Sequence, residues 1–177
     1  MGDIDGFKHD NLDSPSGRFQ PEVGTTLAIA FAEAVPAKMV KGYNNPSPYG
    51  AYSVDGGANW TAFGSTPAGA SGGGTRSIAI SPNGTNIVWC PPGAACSYSV
   101  NNGGAWTTCG GGIPAGLEPV ADRSNSNKFY AVDGLTGQIW VSSNGGQTFA
   151  VGATGLGILP SYQLADVSLK STLGIDG

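Results

Sequence analysis

A chain of 177 residues is the usual length of one domain. Charged residues make up only 11% and the net charge is −4, which supplies no basic face for nucleic acid, and no apolar run approaches the ~20 residues that a membrane-spanning helix needs. Hydrophobic residues at 40%, with four Trp, six Tyr and six Phe, argue against disorder, and 30 glycines with 12 prolines read as turns between many short strands.

Residues 1–24 are polar and turn-rich, with Asp3, Asp5, His9, Asp10 and Asp13 close together. Their start, Met1-Gly2-Asp3-Ile4-Asp5-Gly6, has neither the positive charge nor the apolar stretch of a signal peptide, so secretion would require an upstream leader. Residues 25–31 are apolar and partly alternating, which predicts a strand, with residues 38–43 as its neighbour. Residues 50–53 and 60–63 flank the turn-forming run Ser53-Val54-Asp55-Gly56-Gly57-Ala58-Asn59-Trp60. The same order returns with strands over 77–80, 86–89, 96–99 and 106–108, and again over 119–121, 128–132, 138–141 and 149–151. Beyond residue 152 the rhythm fails. Residues 162–173 have strand-like stretches, a helix over 162–169 is poorly supported, and residues 152–177 are expected to form an irregular segment or a distorted terminal blade.

The turn-forming run recurs from Ser99 to Trp106 and from Ser142 to Phe149, so its copies start 46 and 43 residues apart. The shared pattern is Ser-x-Asp/Asn-x-Gly-x-x-aromatic. Its carboxylate or amide caps backbone N–H groups, its glycines accept positive φ, and its aromatic ties the turn to the next strand. This is the Asp-box of β-propellers. A period of this length marks stacked four-stranded blades. The predicted fold is therefore all-β, an incomplete β-propeller of about three to four four-stranded Asp-box blades over residues 1–151, with blades ending near 63, 109 and 151. Three blades are fewer than the roughly four to eight of a closed ring. The chain is expected to be a fragment, or to have its open blade edges covered by a missing propeller or another chain.

Cys90 and Cys96 bracket a five-residue loop and either close a small disulfide or remain free, in which case all three cysteines are thiols; Cys109 is left over in the first case. With one histidine and no paired Cys-x-x-Cys, neither a metal nor a cofactor is expected. Asn59-Trp60-Thr61 and Asn83-Gly84-Thr85 fit the glycosylation pattern that suits a secreted protein, although such triplets arise often by chance.

The opening Gly2-Asp3-Ile4-Asp5-Gly6-Phe7-Lys8-His9-Asp10, together with Gly24-Thr25-Thr26, the run from Gly50 to Gly57 and the run from Asp122 to Tyr130, resembles glycoside hydrolase family 74. The resemblance runs from residue 1 to about residue 151. It implies a secreted xyloglucan-active inverting enzyme of two seven-bladed propellers, endo-glucanase or reducing-end cellobiohydrolase in type, with one catalytic aspartate on each. The present residues look like the start of the second propeller. Its aspartate lies in a Gly-Asp-Ile/Val-x-Gly-Phe stretch, which places the general acid at Asp3 and leaves the base on the absent propeller. The implied partners are a β-glucan or xyloglucan oligosaccharide and that first propeller, and the chain alone is expected to be inactive.

The residues themselves allow blander readings. Without the resemblance Asp3 is a solvated turn carboxylate of an Asp-x-Asp-Gly tetrapeptide. Asp5 and Asp10 would raise the pKa of Asp3 by like-charge repulsion, and sequence proximity also permits either as the second carboxylate. His9 is a hydrogen-bonded loop residue or a proton shuttle, and is placed with the substrate-binding residues; Phe7 lines a sugar cleft or plugs its own loop. Trp89, next to the Cys90–Cys96 loop, is the candidate sugar platform, whereas Trp60, Trp106 and Trp140 are expected in the core and Asp55, Asn101 and Asn144 as turn-builders. The alternative function is a non-catalytic Asp-box module that binds carbohydrate or protein.

Overall fold

A computed structural model describes residues 5–7, 11, 13–14 and 17–154. Among them there is no helix, and twelve strands form three separate four-stranded antiparallel sheets. The first contains β1 (Thr26–Ala32), β2 (Val35–Tyr43), β3 (Gly50–Ser53) and β4 (Thr61–Ala62). The second contains β5 (Ile78–Ile80), β6 (Ile87–Trp89), β7 (Ser97–Ser99) and β8 (Thr107–Thr108). The third contains β9 (Glu118–Ala121), β10 (Phe129–Asp133), β11 (Gln138–Ser142) and β12 (Ala150–Ala153). In each sheet the strands pair in chain order, the meander of a propeller blade. The expected terminal strand or helix beyond residue 155, and any terminal blade there, lie outside the described residues.

Strand side chains alternate between faces, and the middle blade buries both of its faces. Ile78, Ile80, Ile87 and Trp89 turn toward the first sheet and pack with Ala28, Ala32, Val40 and Phe63. Ala79, Val88, Cys90 and Cys96 turn the other way, against Phe129, Ala131 and Phe149 of the third sheet. The first sheet's opposite face carries a smaller cluster of Tyr43, Ala51 and Trp60, covered by Phe19 and Val23.

The three hairpins share one hydrogen-bond scheme. Ser53 Oγ donates to Asp55 Oδ1 at 2.8 Å and accepts from Gly57 N at 2.9 Å, while Asp55 Oδ1 accepts from Asn59 N at 2.9 Å. Ser99, Asn101, Gly103 and Ala105 repeat it at 2.8, 3.0 and 3.0 Å, and Ser142, Asn144, Gly146 and Thr148 at 2.9, 3.0 and 3.0 Å. An amide oxygen serves as well as a carboxylate because the scheme needs only an acceptor. The left-handed glycines also let blades meet. Gly103, at φ 74°, has Phe63 of the first blade where a Cβ would sit, and Gly146, at φ 88°, has Val88 of the second.

Candidate active site

The hairpin boxes and the turns after β1, β5 and β9 lie at one end of the blades. The opposite end is built from the β2–β3, β6–β7 and β10–β11 connections and the two inter-blade crossings. Two hollows open there. One of about 460 Å³ lies between the first two blades, lined by Leu27, Asn44, Ser71, Thr75, Ser77 and Pro92. The other, about 220 Å³, is lined by Leu117, Glu118, Val132 and Leu135 of the third blade. The two hollows share Gly116 and so adjoin as an interrupted trough across the strand ends. A Cys90–Cys96 disulfide closes the loop between β6 and β7 at its wall, resolving the question left open by the sequence, and Cys109 remains a buried free thiol that burial pushes up to about 12.

The chain enters this end along the outer face of the first blade. Phe7 and Arg18 form an antiparallel bridge, Phe19 N donates to Gly6 O at 2.9 Å, and Trp60 N donates to Gln20 O at 3.0 Å. Gly24 N then reaches Asn45 O at 2.9 Å, beside the trough. One buried ion pair pins this lead segment. The Asp5 carboxylate, 4% exposed, accepts from Lys41 Nζ at 2.8 and 2.6 Å, from Thr26 Oγ1 at 2.5 Å and from Val23 N at 3.3 Å. The Lys41 ammonium is fully enclosed, 4.7 Å from the Trp60 ring centre, 5.1 Å from Phe19 and 5.9 Å from Tyr43. Burial holds Lys41 below the usual ammonium range against the pull of Asp5, and raises the Tyr43 phenol, with the Asp5 charge adding to that rise.

Asp3, His9 and Asp10 lie outside the described residues. Phe7 is 39% exposed, and its backbone pairs with Arg18. Two expectations are corrected. Trp89 is no sugar platform: it is fully buried, its Nε1 donates to Gly73 O at 2.9 Å, and Phe63 and Trp106 lie against it at 5.5 and 5.1 Å between ring centres. It shares strand parity with Ile87 and so turns into the seam between blades rather than out at their end. Asp5 is not available as a second catalytic carboxylate, nor as an uncompensated neighbour for Asp3, because Lys41 occupies both of its oxygens.

Sequence reasoning passed over Lys41 and Glu118. A lysine inside the run Met39-Val40-Lys41-Gly42-Tyr43 of a two-sided strand was the available signal. Glu118, on the trough, is held above the usual carboxylate range by burial, with Arg76 Nη1 4.0 Å away opposing the rise. Asp55, Asp122 and Asp133 are all lowered.

Comparison with known proteins places these blades. No family model matches the chain. It is 38% identical over its whole length to a xyloglucanase of a Paenibacillus species, of which it spans 17%. It is 31% identical, over 91% of its length, to a probable oligoxyloglucan-reducing end-specific xyloglucanase of Neosartorya fischeri, of which it spans 23%. Among solved structures, the family 74 xyloglucanase of Xanthomonas campestris matches 86% of this chain at a TM-score of 0.79 and 31% identity, and a family 74 enzyme of Niastella koreensis matches 89% at 0.73 and 32%. The chain spans 22% and 24% of those two. In sequence and in blade geometry, this chain is a homologue of part of a glycoside hydrolase family 74 polypeptide.

Proposed function

We propose that the chain is the acid-bearing part of a secreted, xyloglucan-active inverting glycoside hydrolase, corresponding to the start of its second propeller. The observation that carries the reading is the identity of 38% along the entire chain to a protein named a xyloglucanase, of which the chain spans 17%. In this reading Asp3 protonates the departing glycosidic oxygen. A carboxylate on the other propeller removes a proton from the water that attacks the anomeric carbon from the opposite face. Such pairs stand ~6.5–9.5 Å apart to admit the water, which explains why a chain carrying one of them would turn over little alone. The trough from Asn44 to Leu135 is the surface along which a β-glucan backbone would lie, with Glu118 among its polar contacts and Phe7 and His9 of the lead segment as further sugar contacts.

The test is to graft residues 1–177 into the Paenibacillus xyloglucanase in place of the stretch they match and to assay xyloglucan hydrolysis. The graft should be active, and Asp3→Asn should lower kcat by roughly 100- to 10,000-fold with oligosaccharide binding retained. Full activity in the Asp3→Asn graft would remove the acid assignment. Binding without turnover in the unmutated graft would favour a carbohydrate-binding module instead.

A further inference from the structure

The Lys41–Asp5 pair has a geometry that a stabilising contact alone does not require. The bonds at the Asp5 carboxylate come from two stretches of chain: Lys41 Nζ on β2, and the junction of the lead with β1, where Val23 N and Thr26 Oγ1 both donate. The ammonium is in turn boxed by Phe19, Tyr43 and Trp60, so it can neither swing away nor reach solvent. Phe19 is also the residue whose N–H is bonded to Gly6 O, next to Asp5. The pair thus fixes the lead in three dimensions two residues after Asp3 in sequence and one residue before Leu27 of the trough wall.

We infer that Lys41 is a positioning residue, which through Asp5 sets where the lead segment docks on the first blade, and with it the start of the chain that carries Asp3. The inference rests on the reading of Asp3 as the general acid, and it assigns Lys41 no contact with substrate. A buried ion pair is a poor way to gain stability, because apolar residues of similar volume in its place are often neutral or stabilising. What it supplies is a defined location, and a displacement of about 1 Å at a reacting group is enough to cost ~100-fold in rate.

That contrast provides the test. Amide hydrogen exchange on the 177-residue chain, resolved at Phe19 and Trp60, reads the docking of the lead. Lys41→Met should speed exchange at both by at least tenfold more than at Ser81 and Cys90, in the middle blade. In the Paenibacillus graft, Lys41→Met should lower kcat by ~100-fold with KM within about twofold. The double variant Asp5→Leu/Lys41→Met separates positioning from stability: its melting temperature should return toward that of the unmutated graft while kcat stays low and exchange at Phe19 stays fast. Unchanged exchange at Phe19 in Lys41→Met, or an unmutated kcat in the double variant, would overturn the inference. Turnover retained in the Asp3→Asn graft retires the acid reading alone, and exchange at Phe19 then decides for or against the anchor.

Discussion

The first and third blades each have one face turned away from the middle blade, and the chain treats the two faces differently. On the first blade, residues 17–23 lie over the sheet, Phe19 and Trp60 rings meet at 5.3 Å, and a lysine and an aspartate are sealed beneath them. On the third, all four residues of β12 are exposed, including Val151 at 42%, and Leu135 on the β10–β11 turn is 84% exposed. A blade gains its apolar burial from whatever lies beside it. The lead does for the first blade what a neighbouring sheet does for the second. Gly57 shows the substitution directly: it faces Phe19 and Met39, whereas Gly103 and Gly146 face Phe63 and Val88 of a preceding blade.

The comparison can be sharpened by substitutions on the two flanks. The largest effect is expected from Lys41→Met, which leaves the Asp5 carboxylate buried and unpaired. It should destabilise the chain by about 3–5 kcal/mol in urea titrations, and a loss below 1 kcal/mol would mean that the covered flank opens freely to water. Gly146→Ala probes the third blade at its seam rather than at its bare face. At φ 88°, with Val88 Cγ2 only 2.2 Å from the new Cβ, it should cost about 1–3 kcal/mol, visible as a lower thermal midpoint.

Acid distinguishes the boxes themselves. Asp55 is lowered to about 2 from 3.8, first by the Asn59 backbone N–H and then by the Asn59 and Ser53 side chains. A depressed carboxylate contributes stability that is present above its unfolded value and lost as pH falls through its folded value. The first box should therefore weaken between pH 4 and 2, whereas the boxes built on Asn101 and Asn144 do not titrate. Asp122 and Asp133, also lowered, add acid sensitivity to the third blade through their own turns. Asp55→Asn should flatten the slope of thermal midpoint against pH in that window without removing the share from Asp122 and Asp133; an unchanged slope would discount the Asp55 cap. The smallest effect is expected at the bare flank, where Val151→Ser should change stability by no more than about 0.5 kcal/mol. A larger loss would show that β12 is covered in solution.

The local parts of this fold were readable because their causes are local. Ser, Asp or Asn two residues on, and Gly four residues on build the same hairpin at all three places, so Ser53, Ser99 and Ser142 mark three blades from sequence alone. The seams were harder. Trp89 looked exposed from its place before a loop, but its face is set by strand parity and by Phe63 and Trp106, more than fifteen positions away in sequence. Lys41 reads as an ordinary strand lysine until Asp5, 36 positions earlier, is known to reach it. The acid candidate was legible only through resemblance, since a carboxylate in a turn carries no local signature of catalysis.

The middle blade has a practical consequence for anyone who would cut or rearrange this protein. Its inner strands present apolar side chains on both faces and keep no wet side in reserve. Excised by itself it would offer two greasy walls to any passing molecule and precipitate. Splices belong in the crossings over residues 64–76 and 110–117, with a whole sheet retained on either hand.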